Sequence, residues 1–291
     1  MNAPVHAWQH RMVGSNGITL HLVQAGADEG QPVLLLHGFP EFWYAWKNQI
    51  EPLTRAGYRV FAVDQRGYNL SDKPRAVSDY KVERLTGDLV GLIDAIGADR
   101  IFLVGHDWGG HVAWSTAERY PERIRKLVIL NVAHPRVMTR NILLNPRQTL
   151  KSWYVLALQV PWIPEWLLSR DEFAILRKFI HWDGTDGPMS AEDERLYIEA
   201  WSRKAAFTSM INWYRASFRS IPRCHGPRIT VPTLLIWGEK DRFLDRSLAQ
   251  QSIALCDSGR VAYFAQASHW VHHEEPRGVS DLIERFFGGV T

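Results

Sequence analysis

Five short runs of almost purely apolar residues, Val33–Leu36, Val60–Val63, Ile101–Val104, Leu127–Leu130 and Leu234–Trp237, constrain this chain more than any other feature. Each is bounded by turn formers and is too short for an independent helix, so each reads as a strand. Apolar residues at nearly every position, rather than every second one, require cover on both faces. That is the situation of strands in a parallel sheet with helices on either side. Helical patterns at Trp43–Ala56, Val82–Ile96 and Gly110–Tyr120 separate the strands, giving the alternation of an α/β fold with a mostly parallel central sheet. Upstream, Ile18–Gln24 alternates apolar and polar residues and, with the segment before Ser15-Asn16-Gly17, predicts an antiparallel hairpin entering the sheet.

After Leu130 the rhythm changes. From about Ala133 to Arg228 no buried strand is evident, and helical patterning rich in Trp, Arg and Pro takes over until alternation resumes at Thr233–Gly238, Val261–Phe264 and Pro276–Phe287. The expected organisation is one α/β core, residues 1–132 and 229–291, with a helical cap at 133–228 inserted after the sixth strand. The cap is expected over the C-terminal edge of the sheet, where α/β proteins bind ligands.

Composition removes several classes of function. The two cysteines, Cys224 and Cys256, form no C-x-x-C pair, so neither a disulfide framework nor a zinc or redox site is expected. Lys and Arg (34) are scattered among 31 acids, so the net charge of +3 forms no block that would favour nucleic acid. No signal peptide and no run of about 18 apolar residues is readable. The expectation is a cytoplasmic protein without a membrane partner. No pattern fixes an oligomeric state. Thirteen Trp residues suggest an aromatic-lined interior, either a pocket for apolar ligands or core filling.

The most informative stretch is Ile101-Phe-Leu-Val-Gly105-His106-Asp107-Trp108-Gly109-Gly110. A buried strand runs into G-x-D-x-G and then a helical pattern, placing Asp107 at a sharp strand-to-helix turn of the nucleophile-elbow kind. Small residues at 105 and 109 allow the turn, and the helix N-terminus favours an anion there. A carboxylate is ionised at neutral pH and attacks without a base, which suits an sp³ carbon bearing a leaving group. A capping Asp at an ordinary junction is the plain alternative. His37-Gly38-Phe39-Pro40 follows another buried strand, where the N–H groups of Phe39 and Trp108 form an oxyanion hole. Asp241, after a late strand, and His269, after the last, complete the order nucleophile, acid, base, although each alone reads as a turn or core residue.

These segments resemble the epoxide hydrolases of the α/β-hydrolase fold, microbial and soluble type, across nearly the whole chain. The matching residues are HGFPEFWYAWKNQI at 37–50, DQRGYNLSDKP at 64–74, GHDWGGHVAW at 105–114, WGEKD at 237–241 and SHW at 268–270. Hydrolases of this fold commonly carry Ser or Cys where Asp107 stands. The resemblance implies two cap tyrosines, Tyr154 in KSWYVLALQ and Tyr214 in NWYR, with Ala157 and Leu158 standing where an aromatic is often found. Two neutral phenols suit the protonation of an alkoxide. His37, Pro40, Trp108 and Trp270 are expected at the substrate pocket. A small apolar epoxide and water are the expected reactants, without cofactor.

The nearest rival is a haloalkane dehalogenase, which uses the same three residues but needs a halide cradle. Trp108 offers one indole N–H, while Phe39 stands where a second donor is often Asn. A fluoroacetate-type dehalogenase fits less well, since Trp108 replaces an arginine. A non-catalytic receptor would be expected to have lost one of the three residues. The cluster His269-x-x-His272-His273-Glu274 lacks H-E-x-x-H spacing, so no metal is expected, and His272 and His273 are placed at the pocket side or the surface.

Overall fold

The computed structural model describes residues 8–180, 190–220 and 226–289. The chain opens with β1 (Gln9–Ser15), β2 (Ile18–Ala25) and β3 (Gln31–Leu36), then α1 (Lys47–Arg55), β4 (Tyr58–Val63), α2 (Val82–Ala95), β5 (Ile101–His106), α3 (Asp107–Arg119) and β6 (Ile124–Leu130). The helices α4 (Pro135–Leu144), α5 (Pro146–Lys151), α6 (Trp153–Ala157), α7 (Ile163–Ile180), α8 (Ala191–Ser202) and α9 (Ala206–Phe218) follow. The chain then returns to β7 (Thr233–Gly238), α10 (Ser247–Ile253), β8 (Gly259–Phe264), α11 (Val271–Glu274) and α12 (Pro276–Gly288).

The eight strands form one sheet in the order β1-β2-β4-β3-β5-β6-β7-β8. β1 pairs antiparallel with β2, the expected hairpin, and β2 pairs antiparallel with β4. Every other pairing is parallel. The five apolar runs are the buried parts of β3 to β7, and Val33 to Leu35, Leu103, Leu127 to Leu130 and Leu234 to Trp237 have no exposed surface. β8, at the sheet edge, is half-buried and correspondingly mixed in sequence.

The expected helix at 43–56 is divided into a 3₁₀ turn, Trp43–Trp46, followed by α1. α3 starts three residues earlier than its apolar pattern, because the turn at Asp107 is itself its first residue. Among the described residues of 133–228, no strand occurs. Residues 181–189 and 221–225 of that expected cap, including Cys224, lie outside the described residues. α7 is interrupted at Arg170–Phe173, where Asp171, Glu172 and Phe173 have positive φ.

The helical segment reaches the loops at the C-terminal ends of β3 and β4. The Trp201 indole donates to the Pro40 carbonyl, Trp213 to the Arg66 carbonyl at 3.0 Å, and Arg203 to the Asn69 side chain at 2.8 Å. It therefore lies over the sheet edge at which β3, β5 and β7 end.

Candidate active site

Asp107 adopts φ +47°, a left-handed conformation that non-glycine residues adopt only where their surroundings enforce it. The enforcing contact is the close crossing of β5 and α3. A Cβ at Gly105 would lie 2.6 Å from the Gly109 carbonyl oxygen, and one at Gly109 would lie 2.2 Å from that of Leu36. Only glycine permits this approach, and it lifts the Asp107 side chain above the sheet at the N-terminus of α3.

One oxygen of that carboxylate, Oδ1, accepts from the Phe39 backbone N–H at 3.0 Å. The other, Oδ2, lies 3.6 Å from His269 Nε2, and the opposite ring nitrogen of His269, Nδ1, meets Asp241 Oδ2 at 2.8 Å. The three expected residues thus form a line, carboxylate, imidazole, carboxylate, although they come from the ends of three different strands. Asp241 is held rigidly. Its Oδ1 accepts from the N–H groups of Phe243 (2.7 Å) and Leu244 (2.9 Å), and its Oδ2 from Asn131 Nδ2 (2.8 Å).

The charges support one another. Burial would lower the basicity of His269, but the two carboxylates outweigh it, led by Asp241, and raise its pKa to about 10. Burial would likewise raise both carboxylic acids. The His269 ring holds Asp107 and Asp241 below their ordinary value instead, aided by the Phe39 N–H at the first, and by Asn131 and the Leu244 N–H at the second. At neutral pH the line is anion, cation, anion.

Tyr154, on α6, and Tyr214, on α9, face this line from the helical segment. Their ring centroids are 6.0 Å apart, and Tyr214 packs edge-on against Trp108 (4.9 Å) and Phe39 (5.1 Å). Burial first, then the neighbouring Asp107 charge, raises the pKa of the Tyr154 phenol. Burial, Tyr154 and Asp107 do the same for Tyr214. Both phenols are neutral donors. The Trp108 backbone N–H stands in the first turn of α3, with no helical carbonyl to receive it. The wall is aromatic, with Phe243 placed 5.2 Å from the His269 ring and 6.0 Å from Tyr154.

The remaining expected pocket residues divide. Phe39–Pro40 is a cis peptide, and the Pro40 carbonyl is taken by Trp201. Trp270 packs edge-on against His269 at 5.2 Å, with its indole N–H buried and unpartnered. His37 departs from expectation. It has no exposed surface, and its ring bonds the Gly38 carbonyl and the Gln65 N–H, so it braces the loop from behind.

His272 and His273 also depart, being buried rather than at the pocket or surface. The reason is Glu41, a buried carboxylate from the loop after β3. Its Oε1 lies 2.8 Å from His273 Nε2 and 3.3 Å from His272 Nε2, and its Oε2 lies 2.8 Å from His106 Nδ1. Burial alone would raise the Glu41 pKa, and His272 and His106 hold it well below the ordinary range. His106 in turn bonds the His269 carbonyl through Nε2 at 2.9 Å, tying the elbow to the loop that carries the imidazole.

Sequence reasoning missed Glu41 and Asn131. Asn131 follows β6 in a left-handed conformation (φ +42°) that Asn tolerates. Its Oδ1 accepts from Gly238 N–H at 2.9 Å while its amide orients Asp241. The available signal was a polar residue closing the buried strand beside the one that leads to Asp241.

Comparison with known proteins agrees with this architecture. A family model described as alpha/beta hydrolase fold matches residues 31–169. The chain is 45% identical over 273 residues to the AB hydrolase superfamily protein YfhM of Bacillus subtilis (strain 168), covering 94% of this chain and 96% of that one. It is 39% identical over 286 residues to epoxide hydrolase 4 of Homo sapiens, covering 96% of this chain and 78% of the human protein. The crystal structure of Bacillus megaterium epoxide hydrolase with an inhibitor superposes with a TM-score of 0.88 at 30% identity, covering 96% of this chain and 100% of that one.

Proposed function

The chain belongs to the epoxide hydrolases of the α/β-hydrolase fold, and from that premise we propose that it opens a small apolar epoxide to a vicinal diol through a covalent ester on Asp107. The observation that carries this reading is the Asp107–His269–Asp241 line lying under two neutral phenols. The helical segment 133–228 acts as the cap that supplies the phenols and excludes bulk water.

Oδ1 of Asp107 is tied to Phe39 N–H, which leaves Oδ2 for the attack. Oδ2 displaces the epoxide oxygen from carbon in line, while Tyr154 and Tyr214 donate to that oxygen and one proton moves onto it. The ester that forms carries no charge, so His269 loses the anion that stood 3.6 Å away, and its basicity falls. The proton it gives up balances the one the phenol lost. Neutral imidazole, still oriented by Asp241, then takes a proton from water as that water attacks the ester carbonyl. The oxyanion on Oδ1 is received by the Phe39 and Trp108 N–H groups, and its collapse expels the diol oxygen, which is protonated by His269. Trp270 and Pro40 shape the wall around the reacting carbons.

The test is the intact mass of His269→Gln after exposure to a panel of epoxides and haloalkanes. An adduct of whole-epoxide mass, absent from the same variant carrying Asp107→Asn, is the expected result. Rapid multiple turnover by His269→Gln removes that residue from the base role, and an alkyl adduct that has lost halide overturns the epoxide reading.

A further inference from the structure

We propose that the solvent-facing side of residues 143–167 docks the protein on an anionic lipid bilayer, lying in the headgroup boundary without spanning it. The proposal goes beyond the epoxide reading and does not rest on it. Among the described residues, fourteen large apolar side chains are exposed, and ten of them fall between 143 and 167. Trp162 is 81% exposed, Leu150 75%, and Trp153, Leu156 and Trp166 about 60%. A contiguous stretch of this character marks an interaction surface, because scattered single apolar residues are ordinary and a concentration is not.

Charge identifies the partner. Arg147 is the exposed ionisable side chain of the stretch. Lys151 is half-buried against the carbonyls of Asp241 and Leu244, and half-buried Glu165 is paired with Arg215. Exposed Arg140 and Arg170 flank the stretch, the latter 4.7 Å over the Trp166 ring, and Asp171 and Glu172 stand beyond it at the interruption of α7. Apolar residues interspersed with three indoles and edged by guanidinium groups match the bilayer boundary. Indoles settle at headgroup depth, aliphatic chains lie below them, and arginines bond phosphate. α5 and α6 span six and five residues, and no helix among the described residues is long and apolar enough to cross a membrane, so the contact is peripheral.

The position of the face gives it a use. α6 presents Tyr154 inward toward Asp107 and Trp153 and Leu156 outward. Arg215, the residue after Tyr214, bonds the carbonyls of Leu158 and Val160 and the Glu165 carboxylate, bracing this corner against α9. A bilayer docked here lies beside the wall of the site.

The test is co-sedimentation of the full chain with vesicles of phosphatidylcholine alone and of phosphatidylcholine mixed with phosphatidylglycerol. Binding to the mixed vesicles that weakens with salt, with tryptophan quenching by brominated lipid, is expected. The Leu156→Ser/Trp162→Ser/Trp166→Ser variant is expected to bind at least about a hundredfold more weakly. Arg147→Glu, which leaves the apolar surface untouched, is expected to lose much of the preference for the anionic vesicles. Absence of sedimentation with either vesicle, or unchanged binding by both variants, overturns the proposal. So does a stable wild-type dimer that the triple variant converts to monomer.

Discussion

His269 stands between two carboxylates, and the proposed chemistry consumes one of them, so its titration reports directly on the first step. With Asp107 3.6 Å and Asp241 2.8 Å away, the ring holds its proton up to about pH 10. Because this pKa is raised above 6.5, the stabilisation it brings is fully present below pH 6.5 and is lost as pH rises toward 10. Asp107→Asn removes the same charge that alkylation removes. Imidazole ¹⁵N shifts of that variant are expected to titrate well below the wild-type value, and the alkaline arm of its stability profile is expected to move down in pH with them. An unchanged titration would show that Asp241 alone sets the proton affinity, and would leave the release of the base unexplained. At this scale the placement of residues was legible where a local motif sets it: Asp107 at its strand-to-helix turn, Asp241 and His269 after strands. Asn131 and Glu41 were hidden because their partners lie far off, Asp241 110 residues from the first and His106 65 from the second.

The elbow as an element depends on backbone contact more than on side chains. A Cβ at Gly109 would meet the Leu36 oxygen at 2.2 Å and the His37 oxygen at 2.5 Å, both backbone atoms that cannot swing aside. Gly109→Ala is therefore expected to lower the unfolding free energy by about 3 kcal/mol or more. Gly14→Ala, where nothing lies within 4 Å, should stay within about 0.5 kcal/mol. Urea denaturation of the two variants checks this, and equal stability would mean that α3 does not approach the end of β3 as closely as described. The same distinction explains which elements were legible. β3 to β7 are buried on both faces and announce themselves as apolar runs, and the hairpin of β1 and β2 is announced by the alternation at Ile18–Gln24 and the Ser-Asn-Gly turn before it. The 3₁₀ turn at 43–46 and the interruption of α7 at Arg170–Phe173 leave no periodic trace, because tertiary contacts set them rather than local preference.

Across the whole molecule, the helical segment shares one apolar core with the sheet, through pairs such as Phe42–Tyr197 and Tyr68–Trp213, and polar ties fasten it further. One of them carries charge into a dry place. Asp193, in the first turn of α8, accepts from Tyr44 at 2.8 Å, pairs with Lys47 at 2.5 Å and closes a capping box with Ser190. Burial would raise its pKa, yet Lys47, the Ser190 N–H and Tyr44 together pull it down from 3.8 to about 2. A depressed carboxylate stabilises the native state above its unfolded pKa, and that stabilisation disappears as pH falls through the folded value. Asp193→Asn keeps the size and removes the charge, so it is expected to cost about 2 kcal/mol at neutral pH, the scale of a hydrogen bond to a charged group. The wild-type advantage should stay constant down to about pH 4 and then shrink toward pH 2, following the window between the two pKa values. Denaturant titrations of both proteins across that range are the check. A difference that persists undiminished in acid would show that the tie between α8 and the Tyr44–Lys47 turn is not electrostatic.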